Sequence, residues 1–257
     1  MISCIIQARM GSSRLPGKVM KVLDDENTLL HHVINQLKNC QLIDEFIVAT
    51  TNLEEDDIII KYLEKNSIKY FRGESKDVLD RYFQCAKKFG CKIIVRIPAD
   101  KPLIDPKLVD KCIEIFNSKD YDYLTTFLPP TFPIGSEVEI FSFKTLETTW
   151  MNAHLPSERE HVTPFIYNHK EKFKIFNFSN KIDQSNFRWA VDRQEDFELV
   201  NSIISKIKKQ PILIEDILDL MEKEPELKKI NENVVHDEGT KKSLKEDEIF
   251  LKSKNRC

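Results

Sequence analysis

Several signatures of common protein classes are missing from this chain of 257 residues. No run approaches the roughly 18 consecutive apolar residues of a membrane-spanning helix. The first apolar run, ISCII, is too short for a signal peptide and is soon followed by Arg9. The six cysteines are scattered, and no CxxC pair indicates zinc or a disulfide framework. These absences predict a cytoplasmic protein with reduced thiols, without a membrane partner.

A global excess of charge is also missing. The formal net charge is −3, from 39 basic and 42 acidic residues. A protein that binds nucleic acid commonly carries a basic field over one face, so no nucleic-acid partner is expected. Hydrophobic residues make up 41% of the chain, which is enough for a substantial core. Any anion-binding site must therefore be local.

Strand-like and helix-like patterns alternate through the first half of the chain. The short apolar segments ISCIIQA, EFIVATT, IKYFRG and KIIVRIPAD are typical of buried strands. Each is followed by a segment with apolar residues at helical spacing, such as TLLHHVINQLKNC. This alternation predicts a mostly parallel sheet with helices on both faces, whose ligands bind beyond the carboxyl ends of the strands.

The second half predicts further subdivisions. A proline-rich stretch with strand-like alternation suggests a protruding middle segment at about 128–165. FKIFNFS and FRWAVD are predicted as two further strands, and EDFELVNSIISKI as a helix. We expect one domain over 1–221, followed by a charged tail over 222–257 that is peripheral or partly disordered.

The segment IIQARMGSSRLPGK, at the end of the first predicted strand, is the most informative stretch. Gly11 allows the main chain to approach a ligand closely, and the two serines after it offer hydroxyl and amide groups. Three cations flank them and could neutralise a polyphosphate, namely Arg9, Arg14 and Lys18. Neither GxGxxG nor GxxxxGK[ST] is present, so this is not a dinucleotide fingerprint or a P-loop. The alternative is an ordinary solvated basic loop.

The same segment carries a resemblance. ARMGSSRLPGK resembles the N-terminal signature of the CTP-dependent sugar nucleotidyltransferases, which include the cytidylyltransferases for acidic sugars such as sialic acid and 3-deoxy-manno-octulosonate. The chain is most similar to the spore-coat polysaccharide biosynthesis F-type proteins. FRGESKDVLDRY, IPADKPLIDP, FPIGSEVEIFSF, EREHVTPFIY and FRWAVDRQEDFELV follow in the family's order, so the resemblance covers essentially the whole chain.

This resemblance implies a three-layer α/β/α Rossmann-like nucleotidyltransferase fold with a mostly parallel central sheet and a protruding middle segment. It implies a Mg²⁺-dependent enzyme that transfers CMP from CTP to an acidic sugar or related small acceptor, releasing pyrophosphate, for surface polysaccharide synthesis. It also implies a homodimer that uses the middle segment. The alternatives are a phosphorylated or phosphonate acceptor, a nucleotide other than CTP, or a catalytically silent nucleotide-binding partner in glycan assembly.

The family pattern also implies roles for individual residues. The catalytic set is Arg14, Lys18 and Asp100. The metal ligands are Asp100 and Asp192, which end two predicted strands. The predicted nucleotide-binding residues are Ala8, Arg9, Met10, Gly11, Ser12, Ser13, Arg72, Gly73, Asp77 and Arg81. The predicted acceptor-binding residues are Lys101, Glu137, Glu139, Arg159 and His161.

Several of these residues have structural alternatives. Asp100 could cap a helix or be a turn residue before Pro102, and Asp192 could cap the following helix. Asp77 could lie in the first turn of a helix capped by Ser75. His161 could be a satisfied structural histidine. The sequence also departs from the family pattern, because Lys101 stands where Cys or Glu is expected between an aspartate and a proline. This change puts the identity of the acceptor in doubt more than the reaction.

Overall fold

The computed structural model describes residues 1–24, 26–235 and 238–254. It contains the strands β1 (Ile2–Gln7), β2 (Val22–Asp24), β3 (Asn27–Thr28), β4 (Glu45–Thr51), β5 (Lys69–Gly73), β6 (Ile93–Pro98), β7 (Tyr123–Thr125), β8 (Glu139–Ser142) and β9 (Ile175–Asn177). Its α-helices are α1 (Leu29–Leu37), α2 (Asp57–Lys65), α3 (Val78–Phe89), α4 (Pro106–Ser118), α5 (Phe143–Asn152), α6 (Pro156–His161), α7 (Pro164–Asn168), α8 (Gln194–Lys206), α9 (Ile214–Lys223) and α10 (Glu238–Lys254).

Seven of the strands form one sheet in the order β5-β4-β1-β6-β8-β7-β9. Only β8 runs antiparallel to its neighbours within this sheet. β1 is an interior strand, in which Ile6 pairs with Val48 on one side and Ile97 on the other. The mostly parallel sheet and flanking helices confirm the predicted fold class.

Alternating side chains of β1 connect the sheet to its two helical layers. Ile6 belongs to a core cluster that includes residues of α1, α4 and α8. Ile5 points into a second cluster with residues of α3, α5 and α7. Both isoleucines are fully buried. A strand covered on both faces is expected to be apolar throughout, and this explains why ISCII resembles neither a surface strand nor an amphipathic one.

The segment FRWAVD, predicted as a strand, forms only an isolated bridge between Ile134 and Arg188. Its backbone is held by separate contacts instead, such as Trp189 N to Ile134 O at 2.8 Å and Val191 N to Asp100 O at 2.8 Å. The prediction of a regular strand was therefore wrong. These contacts nevertheless fix the end of the segment against the end of β6.

The charged tail is also more ordered than the sequence suggests. Residues 238–254 form α10, which packs against α6. Ser157 of α6 donates to Asp247 of α10 from its backbone N, at 2.9 Å, and from its hydroxyl, at 2.5 Å. α10 buries Ser243 and Asp247 while Leu244 and Ile249 are exposed. Because its buried face is polar, the usual apolar periodicity of a packed helix is missing from the sequence of α10.

Within the described ranges, no helix combines the length and apolar character needed to cross a membrane. The five described cysteines, Cys4, Cys40, Cys85, Cys91 and Cys112, are buried and free, as predicted. Cys257 lies outside the described residues.

Candidate active site

The loop after β1, residues 8–18, is held in shape by its own backbone and by one buried carboxylate. We call it the phosphate loop. Its Ser12 and Gly17 amides both donate to the Met10 carbonyl, at 2.8 and 2.9 Å. Gly17 has a φ of 67°, a left-handed conformation that glycine adopts without strain. The Met10 amide donates to Asp56 Oδ1 at 2.7 Å. Asp56 is fully buried, so the loop is tied rigidly to the end of β4.

Two acids and two cations meet beside this loop. Lys18 Nζ lies 2.9 Å from Asp192 Oδ1 and 3.3 Å from Asp100 Oδ2, and it donates to the Val191 carbonyl at 2.6 Å. Arg14 Nη2 lies 2.7 Å from Asp192 Oδ1. Asp100 lies in the turn two residues after β6 ends, and Asp192 is brought to it by the contact between Val191 N and Asp100 O. The structure thus joins four predicted residues that are up to 178 positions apart in sequence.

The pKa values of this cluster reflect strong coupling between buried charges. Burial alone would lower the pKa of Lys18, but attraction to Asp100 and Asp192 outweighs it and raises that pKa. Burial alone would raise the pKa of Asp192, but the Lys18 charge and hydrogen bonds from Arg14 and Lys18 hold it well below its usual range. Both groups are therefore charged at neutral pH.

Neither Asp100 nor Asp192 caps a helix. Asp105 caps α4, accepting from the amides of Lys107 and Leu108 at 2.8 and 3.3 Å. At α8 the N-cap is Arg193, and Asp196 in the first turn of the helix accepts from the amides of Asp192 and Arg193, each at 3.0 Å. The capping alternatives for the two predicted metal ligands are therefore removed. Both carboxylates instead face the cations of the phosphate loop.

The sequence analysis did not identify Arg188, which forms an ion pair with Asp192 on the side away from Lys18 and Arg14. Its Nη2 lies 2.9 Å from Asp192 Oδ2, and its Nε lies 2.9 Å from Asp196 Oδ1. Asp196 is fully buried, so it fixes the guanidinium. Arg188 thereby orients one oxygen of Asp192 and leaves the other directed at Lys18 and Arg14. The sequence does contain a signal for this network, because Arg188, Asp192 and Asp196 are spaced four residues apart.

A cavity of about 900 Å³ opens beside the cluster. Ten of the predicted site residues line it, and they are Arg9, Gly11, Ser12, Ser13, Arg14, Lys18, Asp100, Arg159, His161 and Asp192. Lining residues that the sequence analysis did not name include Gln7, Glu55, Lys76, Arg96 and Glu160. α10 contributes Gly239, Lys242, Ser243 and Glu246. The charged tail thus forms part of the cavity wall.

Arg9 links the two sides of this cavity. Its Nη2 lies 2.8 Å from Glu160 Oε1 on α6, and its Nη1 contacts the Ser75 carbonyl at 3.5 Å. Both side chains of the ion pair are about one third exposed. An exposed pair of this kind contributes little stability. Arg9 can therefore exchange Glu160 for an anionic ligand at small cost.

The predicted nucleobase residues lie mostly outside the cavity lining. Arg72 donates to the Thr51 and Leu53 carbonyls at 2.9 and 2.8 Å, and it pairs with Asp57 at 2.7 Å. It therefore shapes the chain after β4, which itself lines the cavity. A Cβ at Gly73 would lie 2.8 Å from the Phe71 ring and 3.1 Å from Arg81 Cγ. Gly73 is thus required by internal packing.

Asp77 and Arg81, also predicted to bind nucleotide, do not line the cavity. Asp77 caps α3 by accepting from the Asp80 amide at 2.8 Å, and it pairs with Arg159 at 2.5 Å. Arg81 is fully buried, and no described residue hydrogen-bonds its guanidinium nitrogens. Burial, followed by the nearby charge of Arg9, lowers the pKa of Arg81. Ala8 and Met10 act through their backbone, with Ala8 N donating to Ala49 O at 3.1 Å.

Three of the predicted acceptor residues belong to buried networks. Lys101 Nζ donates to the Glu137 carbonyl at 2.8 Å and lies 2.9 Å from its carboxylate, which also accepts from Gly135 N at 2.9 Å. Glu139 is 3% exposed and binds Arg96, the Tyr123 hydroxyl and the Thr163 hydroxyl. Lys101, Glu137 and Glu139 do not line the cavity, whereas Arg159 and His161 do.

Comparison with known proteins identifies the family. The family model described as cytidylyltransferase matches residues 3–248. The chain is 28% identical to the spore coat polysaccharide biosynthesis protein SpsF of Bacillus subtilis over 86% of this chain and 94% of that protein. It is 32% identical to 3-deoxy-manno-octulosonate cytidylyltransferase 2 of Hydrogenovibrio crunogenus over 54% of this chain and 56% of that protein.

A solved structure supports the same conclusion. A cytidylyltransferase from Leptospira borgpetersenii superposes with a TM-score of 0.86 and 34% identity, covering 91% of this chain and 99% of that one. The family model spans nearly the whole chain, including most of α10. This chain therefore belongs to the cytidylyltransferase family.

Proposed function

We propose that this protein transfers CMP from CTP to an acidic sugar or a related small acceptor, releases pyrophosphate, and serves surface glycan biosynthesis. The observation that carries the proposal is the meeting of Arg14, Lys18, Asp100 and Asp192 at one end of the cavity. Family membership supports the nucleotide, and similarity to a 3-deoxy-manno-octulosonate cytidylyltransferase supports an acidic acceptor.

The chemistry of this cluster fits a magnesium ion that arrives with the nucleotide. Asp100 and Asp192 both reach the ammonium of Lys18, so their oxygens are close enough to share one hydrated cation. Within the described ranges, no group of three or more acidic, histidine or cysteine side chains forms a metal site. Two carboxylates completed by water and phosphate oxygens match the usual preference of Mg²⁺. When bound, the ion would stabilise charge on the phosphate oxygens.

Cations of the phosphate loop would bind the triphosphate. The Lys18 ammonium already sits between two carboxylates, and phosphate oxygens offer it an equivalent anionic partner. Arg14, with a side chain 32% exposed, can present two parallel donors to a phosphate group. As the bond between the α- and β-phosphates breaks, negative charge grows on the departing pyrophosphate. Arg14 and Lys18 stabilise that charge from fixed positions, with no further reorganisation.

The remaining residues position the reaction. Asp56 and Arg188 hold the phosphate loop and Asp192 in place from outside the cavity. An acceptor hydroxyl placed in line with the α-phosphorus attacks it directly, so no covalent enzyme intermediate is needed. The proton of that hydroxyl leaves to solvent or to a neighbouring carboxylate during the transfer.

The test is pyrophosphate release by the full chain, measured with each nucleoside triphosphate and a panel of acidic, phosphorylated and neutral sugars. We expect turnover with CTP and an acidic sugar in the presence of Mg²⁺. A phosphorylated or phosphonate acceptor would replace the proposed substrate class. CTP binding without turnover on any acceptor would favour a catalytically silent protein and contradict the proposal.

Lys18→Met and Lys21→Met form a matched pair for this assay. Lys18 is 11% exposed at the centre of the cluster. Lys21, three residues later, is half-buried outside the cluster and bonds Gln194 at 3.0 Å. We expect the first substitution to abolish turnover and the second to leave it within about twofold. Equal effects of the two changes would contradict the role given to Lys18.

We further propose a homodimer that uses the middle segment, 128–165, as the family resemblance implies. Met151 in this segment is 56% exposed, and an exposed apolar side chain can contribute to an interface. Light scattering after gel filtration tests the proposal. A monomeric mass across micromolar concentrations would contradict it.

A further inference from the structure

The cavity has a wall that the phosphate chemistry does not use. We call it the inner wall and define it by Gln7, Arg96, His161 and Ser243, all of which line the cavity. Ile5 of β1 pairs with Arg96 of β6, and side chains alternate along strands, so Gln7 and Arg96 lie on the same face of the sheet. His161 of α6 is joined to Ser243 of α10 by a 2.8 Å hydrogen bond.

Arg96 has a permanent charge and a fixed position. Its Nη1 pairs with Glu139, which is itself held by the Tyr123 hydroxyl at 2.7 Å and the Thr163 hydroxyl at 2.6 Å. The guanidinium lies over the Tyr82 ring at 5.6 Å. Attraction to Glu139 outweighs burial and raises the pKa of Arg96. The side chain is only 11% exposed, so the charge is held in a low-dielectric setting at the edge of the cavity.

One edge of this guanidinium is unused. Nη1 is committed to Glu139, and within the described ranges Nε is a buried donor without a hydrogen-bond partner. The described residues also give no hydrogen bond to Nη2. Because Nε is fully buried, Nη2 is the nitrogen that a ligand in the cavity can reach, and its N–H groups are charge-assisted donors that suit a carboxylate oxygen. The Oε1 atom of Gln7 is likewise buried without a partner.

The other groups of the inner wall suit a ligand of mixed polarity. Ser243 Oγ donates to the Gly239 carbonyl at 3.1 Å. Both contacts of Ser243 are satisfied together when His161 Nε2 carries the hydrogen, which makes the other ring nitrogen an acceptor. Burial, followed by the charge of Arg96, lowers the pKa of His161. The wall therefore offers one cation and neutral hydrogen-bonding groups.

We propose that Arg96 binds the carboxylate of the acceptor and so determines that this enzyme uses acidic sugars. The assignment rests on the proposed cytidylyl transfer and adds the residue that selects its second substrate. Arg159, which the sequence suggested for this task, is already occupied by Asp77 and by the Trp150 carbonyl at 2.9 Å. A neutral sugar would leave the donors of Arg96 unpaired, and a site that loses such hydrogen bonds discriminates strongly.

The first test needs no substitution. Pyrophosphate release by the full chain with CTP and Mg²⁺ is measured on 3-deoxy-manno-octulosonate, on N-acetylneuraminate and on the methyl ester of each. We expect kcat/KM for an acid to exceed that for its ester by roughly a hundredfold. Equal use of acid and ester would overturn the assignment. Turnover on neutral sugars alone would overturn it while leaving cytidylyl transfer intact.

The second test compares Arg96→Lys with Arg159→Lys. Lysine keeps one positive charge near Glu139 but has no second nitrogen to replace Nη2. We therefore expect KM for the acidic acceptor to rise by roughly tenfold or more in Arg96→Lys, the loss of one charge-assisted hydrogen bond. The Kd for CTP, measured by calorimetry, should stay within about twofold. We expect a smaller rise in KM for Arg159→Lys.

Two outcomes of this comparison contradict the proposal. Equal rises in the Kd for CTP and the acceptor KM would show that Arg96 supports the whole site. An unchanged acceptor KM in Arg96→Lys would show that the carboxylate binds elsewhere. Failure of every acceptor, with CTP still bound, would instead refute cytidylyl transfer itself and Arg96's role with it.

Discussion

Asp192→Asn and Asp100→Asn should stop the same reaction but affect stability very differently. Asp192 accepts from Arg14 at 2.7 Å, from Lys18 at 2.9 Å and from Arg188 at 2.9 Å, and its side chain is 22% exposed. Asp100 has one described charged contact, with Lys18 at 3.3 Å, and its side chain is 27% exposed. Asp192 therefore contributes more ion pairs to the charge network than Asp100 does.

The difference can be estimated from these contacts. Removing one partner of a buried ion pair costs about 3–5 kcal/mol, because the other charge is left uncompensated. Arg14 is partly exposed and can regain water, so we take about 3 kcal/mol for Asp192→Asn. A single, longer and partly exposed pair is worth about 0–1 kcal/mol, which is the expectation for Asp100→Asn. For a chain of this size, 1 kcal/mol shifts Tm by about 2–4 °C.

Thermal unfolding followed by circular dichroism checks the estimate. We expect Tm to fall by roughly 6–12 °C in Asp192→Asn and by at most about 4 °C in Asp100→Asn. Turnover, measured below both transitions, should be lost in each variant because each removes a proposed metal ligand. Similar Tm values for the two variants would refute the charge network described here. Full activity in either would refute its role as a metal ligand.

Three further predictions follow from single contacts. Arg81→Met should raise the free energy of unfolding of the nucleotide-free protein, measured in urea, by about 1–4 kcal/mol. The reason is that an apolar side chain replaces a buried charge without a described hydrogen-bond partner. A lower free energy of unfolding in the variant would contradict this prediction. Asp56→Asn should raise the Kd for CTP by roughly tenfold, because the Met10 amide loses its carboxylate acceptor; an unchanged Kd in calorimetry would contradict this. The pKa of His161 is lowered on folding, so the unfolded chain binds more protons below about pH 6.5, and the unfolding free energy falls as pH drops below that value. His161→Gln should make this pH dependence shallower, and an identical slope would show that His161 does not contribute.

The fold could be predicted because its information is local. Each buried strand of the parallel sheet is a short apolar run, and the helices that follow carry their own spacing and stops, such as Gly90 after α3. The strand predicted for FRWAVD was wrong because the composition of this segment is typical of a strand, whereas its backbone hydrogen bonds go to separate partners. The helix α10 was not predicted because the residues it buries, Ser243 and Asp247, are polar and it is attached by polar contacts.

The site was predictable where one motif supplies chemistry and shape together. Arg14 and Lys18 belong to such a motif, and Asp100 follows from the edge of the sheet to which β6 leads. Arg96 and Arg188 were missed because their roles depend on partners, Glu139 and Asp196, that are distant or buried. A sequence pattern shows where an arginine or lysine stands, but not whether a carboxylate distant in sequence already pairs with it. Lys101 is the converse case, because it was proposed from its position in the sequence and the structure pairs it with Glu137.

The central claim is that the phosphate loop and the two carboxylates bind one magnesium-nucleotide together. Titration calorimetry of CTP with excess Mg²⁺, and again with a chelator, measures it most directly. We expect Mg²⁺ to strengthen binding by at least roughly tenfold, about 1.4 kcal/mol, in the natural protein, and this gain to disappear in Asp100→Asn. An equal Kd with and without metal, or an undiminished gain in that variant, would contradict the account.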